Sequence, residues 1–306
     1  VGTAFGTGGR IRRWRTAIFT TIAIASAGAG PLTAQSAGPR VGPAKGTLVV
    51  VGGAMESEEI YRTFIELAGG PRARIVLIPT AAGDEDYDAD YDGLEVWRSH
   101  GARNLTILHT MDPGVADTDE FVEPLEDAGG VFFFGGRQWR LADAYAGTKT
   151  EAKLRQVLER GGVIGGTSAG ASILGSFLVR GDTETNALIM GDHETGFGYL
   201  RGVAIDQHVL RRNRHFDMLE LLSARPELLG IGLDEDTAII VRGDHFDVIG
   251  RSYAIIYDPQ TTTGRDGTFY FLAPGDGYDM ATRRATRPSR TFGPVPNIDR
   301  RPWTTH

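Results

Sequence analysis

Short apolar runs alternate with longer segments whose apolar residues recur at helical spacing. The runs cover 47–51, 74–78, 105–108, 131–134 and 162–165, and most end on Gly or Pro, as at Gly52-Gly53, Pro79 and Gly135-Gly136. None shows polar alternation, so each predicts a strand buried on both faces, the pattern of a parallel sheet. Between them, 57–67, 91–100, 118–126 and 150–160 carry helical periodicity. Strand and helix in repeated alternation predict an α/β fold: a doubly wound, mostly parallel sheet with helices on both faces. Beyond residue 165 the pattern predicts a helix over 169–177, a strand at 203–205, a helix over 211–224, and strands at 230–233, 237–242 and 246–257. Gly243-Asp244-His245 separates the last two strands, so the sheet is expected to finish in an antiparallel hairpin.

Both ends break this pattern. Arg10, Arg12, Arg13 and Arg15 precede an apolar stretch over 17–29, and small residues follow near Leu32-Thr33-Ala34. Residues 1–34 read as a signal peptide, which implies a secreted or periplasmic protein without stable membrane insertion after processing. The Gly- and Pro-rich 35–46 reads as a linker, 47–280 as the catalytic domain, and the Arg-, Pro- and Thr-rich 281–306 as a C-terminal tail.

The 306-residue chain has a net charge of −7 and a mildly acidic balance, which argues against a nucleic-acid surface. It has no cysteine, so neither a disulfide nor a thiolate nucleophile is available. No His-Glu-x-x-His is present, and the acidic run Asp84-Glu85-Asp86-Tyr87-Asp88-Ala89-Asp90 lacks the glycine and terminal glutamate of a calcium loop. No metal or other cofactor is therefore expected, and the run reads as a solvated loop beside the site.

The chemistry concentrates at Gly165-Gly166-Thr167-Ser168-Ala169-Gly170-Ala171, between a predicted strand and a predicted helix. A serine at such a sharp turn presents its hydroxyl at the carboxyl end of the sheet, a nucleophile elbow. The Ala169 N–H is placed to stabilise an oxyanion, and Gly136, at another glycine-rich strand end, is the candidate second donor. His208 follows the strand at 203–205 and is the favoured base, with His215 as competitor. Asp182, Glu184, Asp192 and Glu194 lie between elbow and histidine, and spacing does not choose among them.

Gly165–Ala171, Phe134-Gly135-Gly136-Arg137-Gln138, Asp206-Gln207-His208 and the segment from Gly230 through Asp234-Glu235-Asp236 to Ala238 together resemble the cyanophycinase family of serine peptidases, in the clan that includes aspartyl dipeptidase. The resemblance implies a class I glutamine amidotransferase-like, flavodoxin-like sheet, with serine where amidotransferases carry cysteine. It implies Ser168 as nucleophile and His208 as base, and it favours Glu184 as the acid. Gln138, Asp206, Gln207, Arg212 and Arg214 would line the substrate pocket. Dimers are also implied. Cyanophycinases cleave a polymer with a polyaspartate backbone and arginines on its side-chain amides, releasing β-aspartyl-arginine, so a peptide or polymer substrate is expected. Two positions depart from the family: Arg137 stands where aspartate is common, and a third arginine after Arg212 and Arg214 is replaced near Asp217. A peptidase for other aspartyl or isoaspartyl peptides is therefore the second reading, and a non-catalytic binding protein on the same fold the reading of another class.

Overall fold

A computed structural model describes residues 1–2, 38–84, 86–88, 90–260 and 269–288. Nearly all of the expected signal peptide therefore lies outside the described residues. The five apolar runs become β1 (Thr47–Val51), β2 (Arg74–Ile78), β3 (Asn104–Ile107), β4 (Gly130–Phe133) and β5 (Val163–Thr167). They pair in parallel in the order β1-β5-β4-β2-β3. Each strand sends alternate residues to opposite faces. Val49, Val51, Ile75, Leu77 and Phe132 pack against α1 (Glu58–Leu67) and α2 (Asp92–Ser99) on one side. Leu48, Val50, Val76, Ile78 and Phe133 face the other side. There they meet α5 (Gln138–Tyr145) and α6 (Lys149–Glu159), which follow the short α3 (Pro113–Ala116) and α4 (Asp119–Val122). The doubly wound α/β arrangement is thus present.

The helix expected over 118–126 stops at α4 and continues as a 3-10 turn, Glu123–Leu125. Pro124 has no N–H to return to the preceding turn, which ends the α-helix.

Beyond β5 the chain builds more than one hairpin. The α7 helix covers only Ala169–Ser172 before the chain extends into β6 (Gly175–Phe177), where a helix over 169–177 was expected. β6, β7 (Leu200–Gln207), β8 (Leu229–Leu233), β11 (Ala254–Tyr257) and β12 (Tyr270–Leu272) form a second sheet, in the order β12-β11-β8-β7-β6. β9 (Thr237–Arg242) and β10 (His245–Gly250) form the expected hairpin on β1, but β13 (Gly277–Asp279) and β14 (Arg284–Thr286) carry that sheet further. The single strand expected over 246–257 is therefore two strands in different sheets, broken at Gly250, whose φ is +102°.

The helix expected over 211–224 starts later, as α8 (Asp217–Ala224). Residues 210 and 211 instead give their N–H groups to Asp234 Oδ1, at 3.1 and 2.9 Å, which holds a turn ahead of the helix. α8 packs Met218, Leu221 and Leu222 on the second sheet with Ile255 and Tyr257.

Two boundaries also move. Asp244 accepts the N–H groups of Arg40, Val41 and Gly42, while Arg201 donates to the carbonyls of Pro39, Arg40 and Gly42. Residues 38–46 thus belong to the folded body and are not a free linker. Likewise β14 makes the start of the expected tail a sheet edge; residues 289–306 lie outside the described residues.

Candidate active site

β5 runs straight into Ser168, which adopts φ +55° and ψ −114°. A side chain at positive φ is strained, and such a turn survives only where neighbours enforce it. Here Ser168 N–H donates to Val51 O at 3.0 Å, and Ser168 O accepts from Ala171 N and Ser172 N at 2.9 and 3.1 Å. α7 packs its small residues against β4, β5 and β7, which fixes the elbow between the two sheets.

His208 follows β7 and also takes positive φ, +54°. Its N–H donates to Gly52 O at 2.9 Å, tying it to the end of β1. Gly53, at φ +132°, lies so close that a Cβ there would overlap the imidazole. The ring is thereby aimed with Nε2 2.9 Å from Ser168 Oγ. On its other side Nδ1 stands 2.7 Å from Glu235 Oε1. Because a carboxylate accepts, Nδ1–H donates to Glu235 and leaves Nε2 as an acceptor for the serine hydroxyl. Burial pushes the His208 pKa below its ordinary value, Glu235 works against that, and the cations of Arg212 and Arg214 reinforce it. The imidazole is thus biased to its neutral, proton-accepting form.

Ser168 and His208 are brought together, but Glu184 is not their third member. It sits exposed on a turn where Asp182 Oδ1 accepts the N–H groups of Glu184 and Thr185. Asp192 is engaged by Thr183 and His193, and Glu194 lies near Arg225. The carboxylate that reaches His208 follows β8, on the same rim as the elbow. Strand-end placement after the apolar 230–233 run is the sequence signal for Glu235, which lies outside the stretch between serine and histidine. The competing His215 packs on Phe216, at 4.3 Å between ring centroids, and its carbonyl accepts from Tyr257.

Of the two expected oxyanion donors, Ala169 directly follows Ser168 and Gly136 directly follows Gly135. Ala169 opens α7, where an N–H has no intrahelical acceptor. Gly135 lies against the serine, since a Cβ on it would stand 3.2 Å from Ser168 Cβ. Gly136 is exposed at φ +142°, and a side chain there would collide with the Ala81 carbonyl. Glycine is the residue that this backbone path admits.

The residues expected to line the pocket divide. Arg212 is exposed and Arg214 half-buried, with Arg214 Nη1 donating to Gln207 Oε1 at 3.0 Å. They occupy the turn before α8, outside the helix. Gln138, by contrast, is buried and donates to Val179 O, and Asp206 is buried in an ion pair with Arg180. Asp217 joins that pair, accepting from Arg180 Nη2 at 2.6 Å. Arg137 reaches the carbonyls of Asp182 and Thr183, at 2.6 and 3.1 Å, and ties their loop to the start of α5.

The sequence profile of peptidase family S51 matches residues 48–249. A cyanophycinase from Synechococcus elongatus is 35% identical over 261 residues, covering 78% of this chain and 81% of the relative. A cyanophycinase from Geminocystis herdmanii is 34% identical over 225 residues, covering 71% and 82%. Among solved structures, a peptidase from an acI-B1 Actinobacterium superposes with a TM-score of 0.58 at 25% identity, covering 77% of this chain and 97% of that one.

Proposed function

Since the chain belongs to peptidase family S51, we propose that it is a serine-type peptidase that hydrolyses cyanophycin, the polyaspartate with arginine on its side-chain amides, and releases β-aspartyl-arginine. The observation that carries this reading is the continuous line from Ser168 Oγ through His208 to Glu235, at 2.9 and 2.7 Å. Ser168 Oγ attacks the scissile carbonyl while His208 Nε2 takes its proton. Glu235 holds the ring in that tautomer and stabilises the imidazolium as it forms. The N–H groups of Gly136 and Ala169 receive the charge developing on the carbonyl oxygen. His208 returns the proton to the leaving amine, and water, activated by the same imidazole, releases the acyl group. Arg212 and Arg214 supply guanidinium donors for substrate carboxylates.

The test is Ser168→Ala assayed on cyanophycin, with β-aspartyl-arginine quantified by chromatography and the fold checked by circular dichroism. Loss of product with an intact fold is expected, and full activity would falsify the mechanism. We also infer export, on the arginines followed by the apolar stretch over 17–29. Fusing residues 1–46 to a reporter that is active only outside the cytoplasm should give signal; a silent fusion sinks that inference.

A further inference from the structure

Arg180 has 1% of its side chain exposed, as does Asp206. Every N–H of Arg180 has an acceptor. Nε donates to Asp206 Oδ1 at 2.9 Å, and Nη2 to Asp206 Oδ2 at 3.0 Å and Asp217 Oδ2 at 2.6 Å. Nη1 donates to the carbonyls of Asn186 and Ala187, both at 3.1 Å. A guanidinium offers five N–H donors, so none remains for a ligand. Asp206 is held as well, because Oδ1 also accepts Gln207 N–H at 2.9 Å.

This pair is connected through the chain to both flanks of the reaction centre. Asp206 and Gln207 end β7 immediately before His208. Arg180 follows Val179, whose carbonyl is held by Gln138, two residues from the Gly136 oxyanion donor. Asp206 is therefore the buried carboxylate nearest in the chain to the base, and the protein's own arginine neutralises it. Drawing Arg180 off would leave a buried charge without its partner, a penalty that closes that route to a substrate cation. Asp84, Asp86 and Asp88 remain as acids, but they are exposed, where an ion pair contributes little.

Arg212 and Arg214 carry the opposite implication. Neither makes an ion pair among the described residues, and Arg214 is half-buried. The free charge at this rim is positive, suited to carboxylates.

We propose that this peptidase recognises the aspartyl backbone of its substrate and does not read the positive charge of the residue amide-linked to it, because Arg180 already occupies Asp206. This rests on the reading of the chain as a peptidase for side-chain-amidated polyaspartate. It extends the substrate class to polyaspartates bearing neutral side-chain amides.

The test compares two synthetic oligoaspartates that carry on each side-chain amide either arginine or citrulline, its neutral isostere. At physiological ionic strength the wild-type kcat/KM values should agree within about fivefold, the most an exposed ion pair contributes. A larger preference for arginine overturns the proposal. Arg180→Leu frees Asp206 and should raise the arginine preference about tenfold or more; an unchanged ratio in a folded variant also overturns it. Should that variant fail to fold, Asp217→Asn keeps the Arg180–Asp206 pair and should retain the wild-type ratio, whereas an altered ratio would place cation recognition at Asp217. If neither oligomer turns over while Ser168 still reacts with a fluorophosphonate, the proposed function fails. The specificity proposal is then read from protection of Ser168 against labelling: equal protection by the two oligomers supports it, and selective protection by the arginine form overturns it.

Discussion

Glu235 Oε1 lies 2.7 Å from His208 Nδ1, although 27 residues separate the two in sequence. The distance fixes which imidazole nitrogen carries the proton, and a carboxamide in place of the carboxylate permits the wrong tautomer. Glu235→Gln should reduce kcat by roughly 10³- to 10⁴-fold with little change in fold. Glu184→Gln, on an exposed turn, should stay within about twofold of wild type. Steady-state kinetics of the two variants side by side check the assignment, and the reverse pattern would refute it.

Gly53 supports the same imidazole from beneath. Gly53→Ala places a methyl group where the ring now lies and forces a side chain into φ +132°. The base is expected to shift, and displacement on the scale of an ångström lowers kcat by about 10²-fold. Unchanged turnover in a folded Gly53→Ala enzyme would contradict the close approach of backbone and base.

The low His208 pKa sets the acid limb of the activity profile. Only neutral imidazole accepts the serine proton, so kcat/KM should rise with pH through an inflection below the ordinary histidine value of 6.5. Arg212 disfavours the imidazolium, so Arg212→Gln should move this inflection to higher pH. Arg212 is exposed, and raising the salt should shrink the shift. An inflection that moves downward would contradict the assignment. The measured quantity is the position of the limb; its height also reflects substrate binding.

Phe132 tests the core beneath the site. Its ring meets Phe64, Trp97 and Phe134 at centroid distances of 5.3, 4.9 and 5.9 Å. Phe132→Ala should cost about 3–5 kcal/mol, read from the urea midpoint. A loss below about 1 kcal/mol would mean that the neighbours collapse into the space.

The parallel half of the fold was legible because its strands are buried on both faces and leave continuous apolar runs. What came after the elbow was harder to read. The Ala169–Phe177 segment has small and apolar residues that fit either a helix or a strand, and pairing of β6 with β7 decides between them. Along 246–257 the apolar pattern continues through a change of sheet, which one-dimensional periodicity does not register. Ser168 and His208 were legible from their positions just past predicted strands. Glu235 obeys the same rule, just past the 230–233 strand, but it follows His208 in the chain and does not lie between the serine and the histidine. The Arg180–Asp206 pair had no signal at all, because its partners stand 26 residues apart and meet only when β7 closes beside the chain leaving β6.

The six hydrogen bonds that the Asp244 and Arg201 side chains make to residues 39–42, with a seventh from Arg201 N–H to Val41 O, give the molecule a mechanical seam. Tension applied at Gly38 reaches the β9–β10 turn and the start of β7 before it can load β1, which lies sheltered between β5 and β9. Trimming that stops short of Pro39 keeps this clasp whole, and a cut beyond Gly42 removes it. The clasp thus sets the furthest point at which a protease can shorten the chain without loosening the strand on which His208 is hung.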